Sequence, residues 1–170
     1  MANAAAMGER LLGRARSLRT VSGDLQLTDT AGDTLELGSV SGDVVIRGLR
    51  ARSIELESVS GSLRLADVDS DRVAFNTISG DIDYEGRLAR NGRYDMQTHS
   101  GSIRVTTAAN AGFDLDASTF SGDIRSEFQL RGAQSNPDRR RSREVRGTVG
   151  DASAILTLKS FSGDVILTRR

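Results

Sequence analysis

The chain has 170 residues, with 23 basic and 23 acidic side chains, 18 glycines, one proline and no cysteine. Zero cysteine excludes disulfides, thiolate chemistry and cysteine–zinc sites, and balanced charge argues against non-specific binding to nucleic acid or to a membrane surface. No apolar run approaches the roughly 18 residues of a membrane span.

The first stretch, "MANAAAMGERLLGRARSLRT", holds no apolar segment long enough for a signal peptide. Met7, Leu11, Ala15 and Leu18 recur at helical spacing. Residues 1–19 are therefore expected to be a leader or a short amphipathic helix capping the first coil.

From Thr20 a motif returns seven times: "TVSGDL", "SVSGDV", "SVSGSL", "TISGDI", "THSGSI", "TFSGDI" and "SFSGDV". The Ser-Gly pairs are Ser22–Gly23, Ser41–Gly42, Ser60–Gly61, Ser79–Gly80, Ser100–Gly101, Ser121–Gly122 and Ser162–Gly163, a period of 19 to 21 residues with one long final gap. Apolar residues hold columns three and five after the serine, such as Val44 and Ile46, and six and four before it, such as Ile54 and Leu56. A spacing of two means strands with one buried face. One column per repeat means coils stacked on one another. The expected fold is an all-β, single-stranded parallel β-solenoid, a right-handed β-helix of six to seven coils over residues 20–170. Each Ser-Gly pair is its structural turn motif, because glycine turns the chain at positive φ. The Thr or Ser two before each serine is expected to bond up the column, hydroxyl to hydroxyl. The aspartate after the glycine (Asp24, Asp43, Asp81, Asp123, Asp164) is read as a turn cap in preference to a calcium ligand.

A fifth apolar column stands immediately before the serine: Val21, Val40, Val59, Ile78, His99, Phe120 and Phe161. It is read as core, with His99, the only histidine, packed inside it. A column of acids five before the serine, including Glu36, Glu55, Asp95 and Asp116, is expected to face water.

Residues about 131–152 interrupt the repeat with "RGAQSNPDRRRSREVRGTVGDAS". "REVRGTVG" is read as an extra strand before the repeat resumes at Ala154, and Arg139, Arg140, Arg141 and Arg143 form a candidate anion-binding loop. Arg169 and Arg170 are expected to protect the last strand from edge pairing. No residues are assigned to catalysis, a cofactor or a metal.

"GRYDMQTHSGSIRV", "STFSGDI" and "RGTVGDASAILTLKSFSGDVIL" resemble the bacterial adhesin-like family of β-strand repeats, a domain of unknown function. The resemblance implies a β-solenoid at or near the cell envelope. It also implies a non-enzymatic structural or adhesive module, its partner a surface glycan or another envelope protein. A carbohydrate-binding or carbohydrate-active β-helix and a scaffold that associates end to end are the alternatives.

Overall fold

The computed structural model describes residues 12–135 and 143–170, with side chains from 17 to 133 and from 143 onward. Within them the chain forms twelve strands and no helix. They are β1 (Leu12–Ser22), β2 (Leu25–Ser41), β3 (Val44–Ser60), β4 (Leu63–Ser79), β5 (Ile82–Ser100), β6 (Ile103–Thr107), β7 (Phe113–Ser121), β8 (Ile124–Ser126), β9 (Arg131–Ser135), β10 (Arg143–Val149), β11 (Ala154–Ser162) and β12 (Val165–Arg169). β1 through β5 pair in parallel, each one repeat ahead of the last, so that Leu25 lies beside Val44, Val44 beside Leu63 and Leu63 beside Ile82. This is a solenoid-like stack. The helix expected before Thr20 is corrected over 12–18: those residues belong to β1, whose Leu18 pairs with Leu37 of β2. The open edge of β2 offers unsatisfied backbone donors and acceptors, and a strand satisfies them where a helix would not. Met7 and Leu11 lie outside the described residues.

The four apolar columns are buried and form one continuous core, from Leu25 to Leu167. Each long strand also bends between its ends. Two consecutive outward residues, Thr28 and Asp29, break the in–out alternation of β2 before Thr30 turns inward again. At this bend Asp29, Gly48 and Asp67 take φ of 48°, 66° and 60°. The bend creates a third inward wall, Leu49, Ala51 and Val68, that the period-two columns did not contain. The register of β5 drops by one residue opposite Ala66–Val68 and gains three opposite Ser70–Arg72, which absorbs its two extra residues. There the buried Tyr94 hydroxyl donates to Ser70 O (2.5 Å) and accepts from Ala89 N (2.7 Å), which supplies partners to backbone that has left the ladder.

The stack does not follow chain order at its far end. β11 lies between β5 and β7, and β12 lies between β6 and β8. The C-terminal repeat is thus inserted between two rungs that precede it in sequence. The chain leaves a rung open when it passes from β6 to β7, and its own last residues fill it. Arg169 and Arg170 accordingly do not guard an edge. The Arg169 N–H donates to Glu127 Oε2 (3.0 Å), and Arg170 pairs with Glu85 at 2.7 Å. The edge is covered by the interruption itself. β10 pairs antiparallel with β7, and β9 pairs antiparallel with β10. The strand expected in "REVRGTVG" is therefore present, and the repeat resumes at Ala154. Beside it Phe128 meets Phe113 edge-on, ring centroids 5.2 Å apart, and closes that end of the core.

Candidate functional site

The Ser-Gly corners lie in one line. Ser22, Ser41, Ser60, Ser79 and Ser100 pair in succession, then Ser100 with Ser162 and Ser162 with Ser121. All seven glycines have positive φ, from 111° at Gly23 to 156° at Gly122. The backbone ladder runs through the corner: Gly80 N–H donates to Ser100 O, Gly101 N–H to Ser162 O and Gly163 N–H to Ser121 O, at 2.8–2.9 Å. The rungs approach so closely that a Cβ on Gly61 would sit within the Gly42 carbonyl, and the same clash recurs at Gly42, Gly80, Gly101, Gly122 and Gly163. The Ser-Gly motif is structural for this double reason.

The aspartates cap across rungs. Asp24 Oδ1 accepts Asp43 N–H (3.0 Å), Asp43 Oδ1 accepts Ser62 N–H (2.8 Å), Asp81 Oδ1 accepts Ser102 N–H (2.8 Å) and Asp164 Oδ1 accepts Asp123 N–H (2.8 Å). The hydroxyl column behaves differently from its expectation. Thr98, Thr119 and Ser160 donate to the carbonyls of Gly80, Gly163 and Gly101 in the neighbouring corners, at 2.9–3.2 Å, and not to one another.

The column before each serine is corrected outright. Val21, Val40, Val59, Ile78, Phe120 and Phe161 are exposed, from 44% at Val59 to 74% at Val21, and His99 is exposed with them. The alternation explains it: residues six, four and two before the serine point inward, so the residue one before it points out. Rung by rung the stripe reads Val21, Val40, Val59, Ile78, His99, Phe161, Phe120. The inserted C-terminal repeat places Phe161 between His99 and Phe120. Its ring stacks on both, at 4.8 Å and 7° to His99 and 4.9 Å and 5° to Phe120. Six rung steps make the stripe about 29 Å long.

Beside the stripe runs a groove of about 850 Å³. Its floor is the hydroxyl column, and its far wall is the outward column three before the serine: Arg19, Gly38, Glu57, Asn76, Gln97 and Lys159. Ser39 Oγ and Thr77 Oγ1, both buried in that floor, have no partner among the described residues. One wall is therefore apolar, the other polar with both signs of charge. An exposed contiguous apolar strip of this length is a mark of an interaction surface. The acidic column lies beyond the polar wall and faces out as expected, with Asp116 in an ion pair with Arg146 at 3.4 Å.

The candidate anion-binding loop is not assembled within the described residues. Arg139, Arg140 and Arg141 lie outside them. Arg143 opens β10, where its guanidinium pairs with Asp123 and donates to Gly122 O at 2.9 Å, fastening the end hairpin to a corner. A second groove, of about 740 Å³, lies along the other bend. It mixes Asp29, Asp67, Asp69 and Glu85 with Arg50, Arg87 and Arg170, so its charges offset one another.

No helix among the described residues is long and apolar enough to cross a membrane. No curated protein and no solved structure matches the chain. The Toastrack family model, DUF4097, matches residues 11–168, nearly the whole chain and from the start of the first strand. The chain belongs to the Toastrack DUF4097 family, a domain family of unknown function.

Proposed function

We propose that the chain is a non-enzymatic structural module of the bacterial cell envelope, adhesin-like in that it works by presenting one long docking strip. In this reading the body is a right-handed stack of six to seven coils, and the working surface is the stripe from Val21 to Phe120 with its groove. The single observation that carries the reading is the exposure of that stripe. Large apolar side chains held in water on a rigid sheet gain nothing from folding, and a partner that covers them gains the hydrophobic free energy of their burial. The stripe is apolar at every rung but that of His99 and the floor carries a hydroxyl at every rung, which suits extended contact better than the converging groups an active site needs.

The stripe favours a protein surface over a sugar. Sugars stack on open aromatic faces, whereas Phe161 has both faces occupied by His99 and Phe120, so its edge meets solvent. End-to-end growth is also less supported, because the antiparallel hairpin of β9 and β10 covers the edge of β7.

Beads coated with the protein should attach to bacterial envelope preparations, and a Val59→Ser/Phe161→Ser variant of unchanged fold should not. Equal retention of parent and variant would remove the stripe from the function. Turnover of polysaccharide or ester substrates by the purified protein would contradict the non-enzymatic half of the reading.

A further inference from the structure

We propose that the stripe's partner is a second copy of this chain, packed face to face with the two stacks antiparallel and the twofold axis along the strands. The inference rests on the docking role proposed for the stripe and names its occupant.

An axis along the strands sets each outward column against itself and reverses the order of the rungs. Two properties of the face fit that operation. The first is size. The stripe is small at one end, Val21, Val40 and Val59, and large at the other, His99, Phe161 and Phe120. Antiparallel packing sets the phenylalanine end against the valine end. A twofold axis along the stack would instead set the phenylalanine end against itself and leave the valine end apart.

The second property is charge. Glu57 and Lys159 stand three rungs apart in the polar wall, and neither makes an ion pair among the described residues. With the axis midway between the rungs of Ile78 and His99, Glu57 of each copy faces Lys159 of the other, twice by symmetry. The same register sets Asn76 against Gln97, Val59 against Phe161 and Val40 against Phe120; in the acidic column it sets Glu36 against Asp116, whose charge Arg146 already offsets at 3.4 Å. Moving the axis one rung toward Val21 sets Arg19 against Lys159, a like-charge contact, and half-rung shifts leave Glu57 opposite an amide or Ser118. The register that pairs the charges also keeps Phe161 and Phe120 opposite valines, with Val21 left beyond the overlap.

The area suffices. The outward face between the acidic column and the stripe is about 29 Å by about 13 Å. Over the six rungs that overlap it carries about 18 side chains, just under what one side of a stable interface supplies, which suits a weak, reversible dimer.

The test is sedimentation velocity of the full chain over a rising concentration series, with three charge variants. The parent should form a dimer. Glu57→Lys alone and Lys159→Glu alone should each weaken it at least about tenfold by setting like charges together. The double variant Glu57→Lys/Lys159→Glu should restore it. The chain has no cysteine of its own, so a Glu57→Cys/Lys159→Cys variant should oxidise to a covalent dimer while either single variant stays uncrosslinked. Within one chain those positions are about 14 Å apart, beyond the ~7 Å reach of a disulfide. A strictly monomeric parent, or a double charge variant that fails to recover, overturns the dimer. The dye bis-ANS separates the two readings. A monomeric parent that binds the dye, and loses it in Val59→Ser/Phe161→Ser, overturns the dimer and leaves the stripe a docking surface for another protein. A monomeric parent that does not bind it overturns both.

Discussion

At the scale of single residues, the corner glycines answer to two constraints that act together. Positive φ alone costs a side chain about 1–2 kcal/mol. Gly61 adds the approach of the Gly42 carbonyl, which a Cβ cannot share. Gly132, at φ 64°, has nothing within 4 Å of where its Cβ would stand. Gly61→Ala is therefore expected to lower the urea midpoint much more than Gly132→Ala, whose cost should stay near about 1 kcal/mol. Equal midpoints would show that the rungs separate at no cost. Tyr94 gives a second residue-scale outcome. Burial pushes its pKa up to about 12, with the carboxylates of Asp69 and Asp71 adding to the rise and the Ala89 backbone hydrogen bond opposing it. The folded state therefore favours the neutral phenol. That stabilisation is complete below the unfolded pKa of about 10 and is lost as the pH climbs from there through about 12. Burial and the neighbouring Tyr94 raise Tyr84 as well. Unfolding followed between pH 9 and 12 should show the parent losing stability faster than Tyr94→Phe. A parallel decline in both would remove Tyr94 from the alkaline transition.

At the scale of elements, β11 and β12 come last in the chain yet stand inside the stack. Leu158 is fully buried there, paired with Met96 on one side and Ala117 on the other. Leu158→Ala should cost about 2–5 kcal/mol, the range for a core leucine, and hydrogen exchange should rise in β6, β7 and β8 along with β11. Faster exchange confined to β11 and β12 would mean a loosely added terminal coil. The elements are unevenly legible in the sequence for a physical reason. Columns such as Val44, Leu63 and Ile82 are legible because burial selects apolar residues at period two, and the corners because only glycine fits them. Stack order is not legible: "SFSGDV" presents the same columns and corner as any other copy, so pairing partners are set by the closure of the whole chain. The bend at Asp29, Gly48 and Asp67 is hidden because aspartate and glycine share it, leaving no fixed letter. The stripe is legible in principle. Its in–out parity follows from Ile54, Leu56 and Ser58 pointing inward, but the apolar character of Val59 and Phe161 outweighs parity and assigns them to the core. That conflict between residue type and direction is itself the mark of the candidate site.

At the scale of the whole molecule, fold and candidate site depend on one event, the entry of the C-terminal repeat between rungs 100 and 121. It sets Phe161 between His99 and Phe120 and Lys159 in the polar wall, so that stripe and groove run without a break. Filling an interior rung from the far end of the chain also requires contacts distant in sequence, and refolding should be slow for a domain of this size. The most direct measurement is disulfide mapping in this cysteine-free chain, using outward positions of the polar wall so that the core is undisturbed. The register sets Lys159 beside Gln97 on one side and beside Ser118 on the other. The pairs Gln97→Cys/Lys159→Cys and Ser118→Cys/Lys159→Cys should each form an intramolecular disulfide in the folded monomer, and Gln97→Cys/Ser118→Cys should not. Efficient closure of the Gln97–Ser118 pair with failure of the Ser118–Lys159 pair would mean that the rungs stack in chain order, and would contradict both the intercalated fold and the continuous stripe built on it.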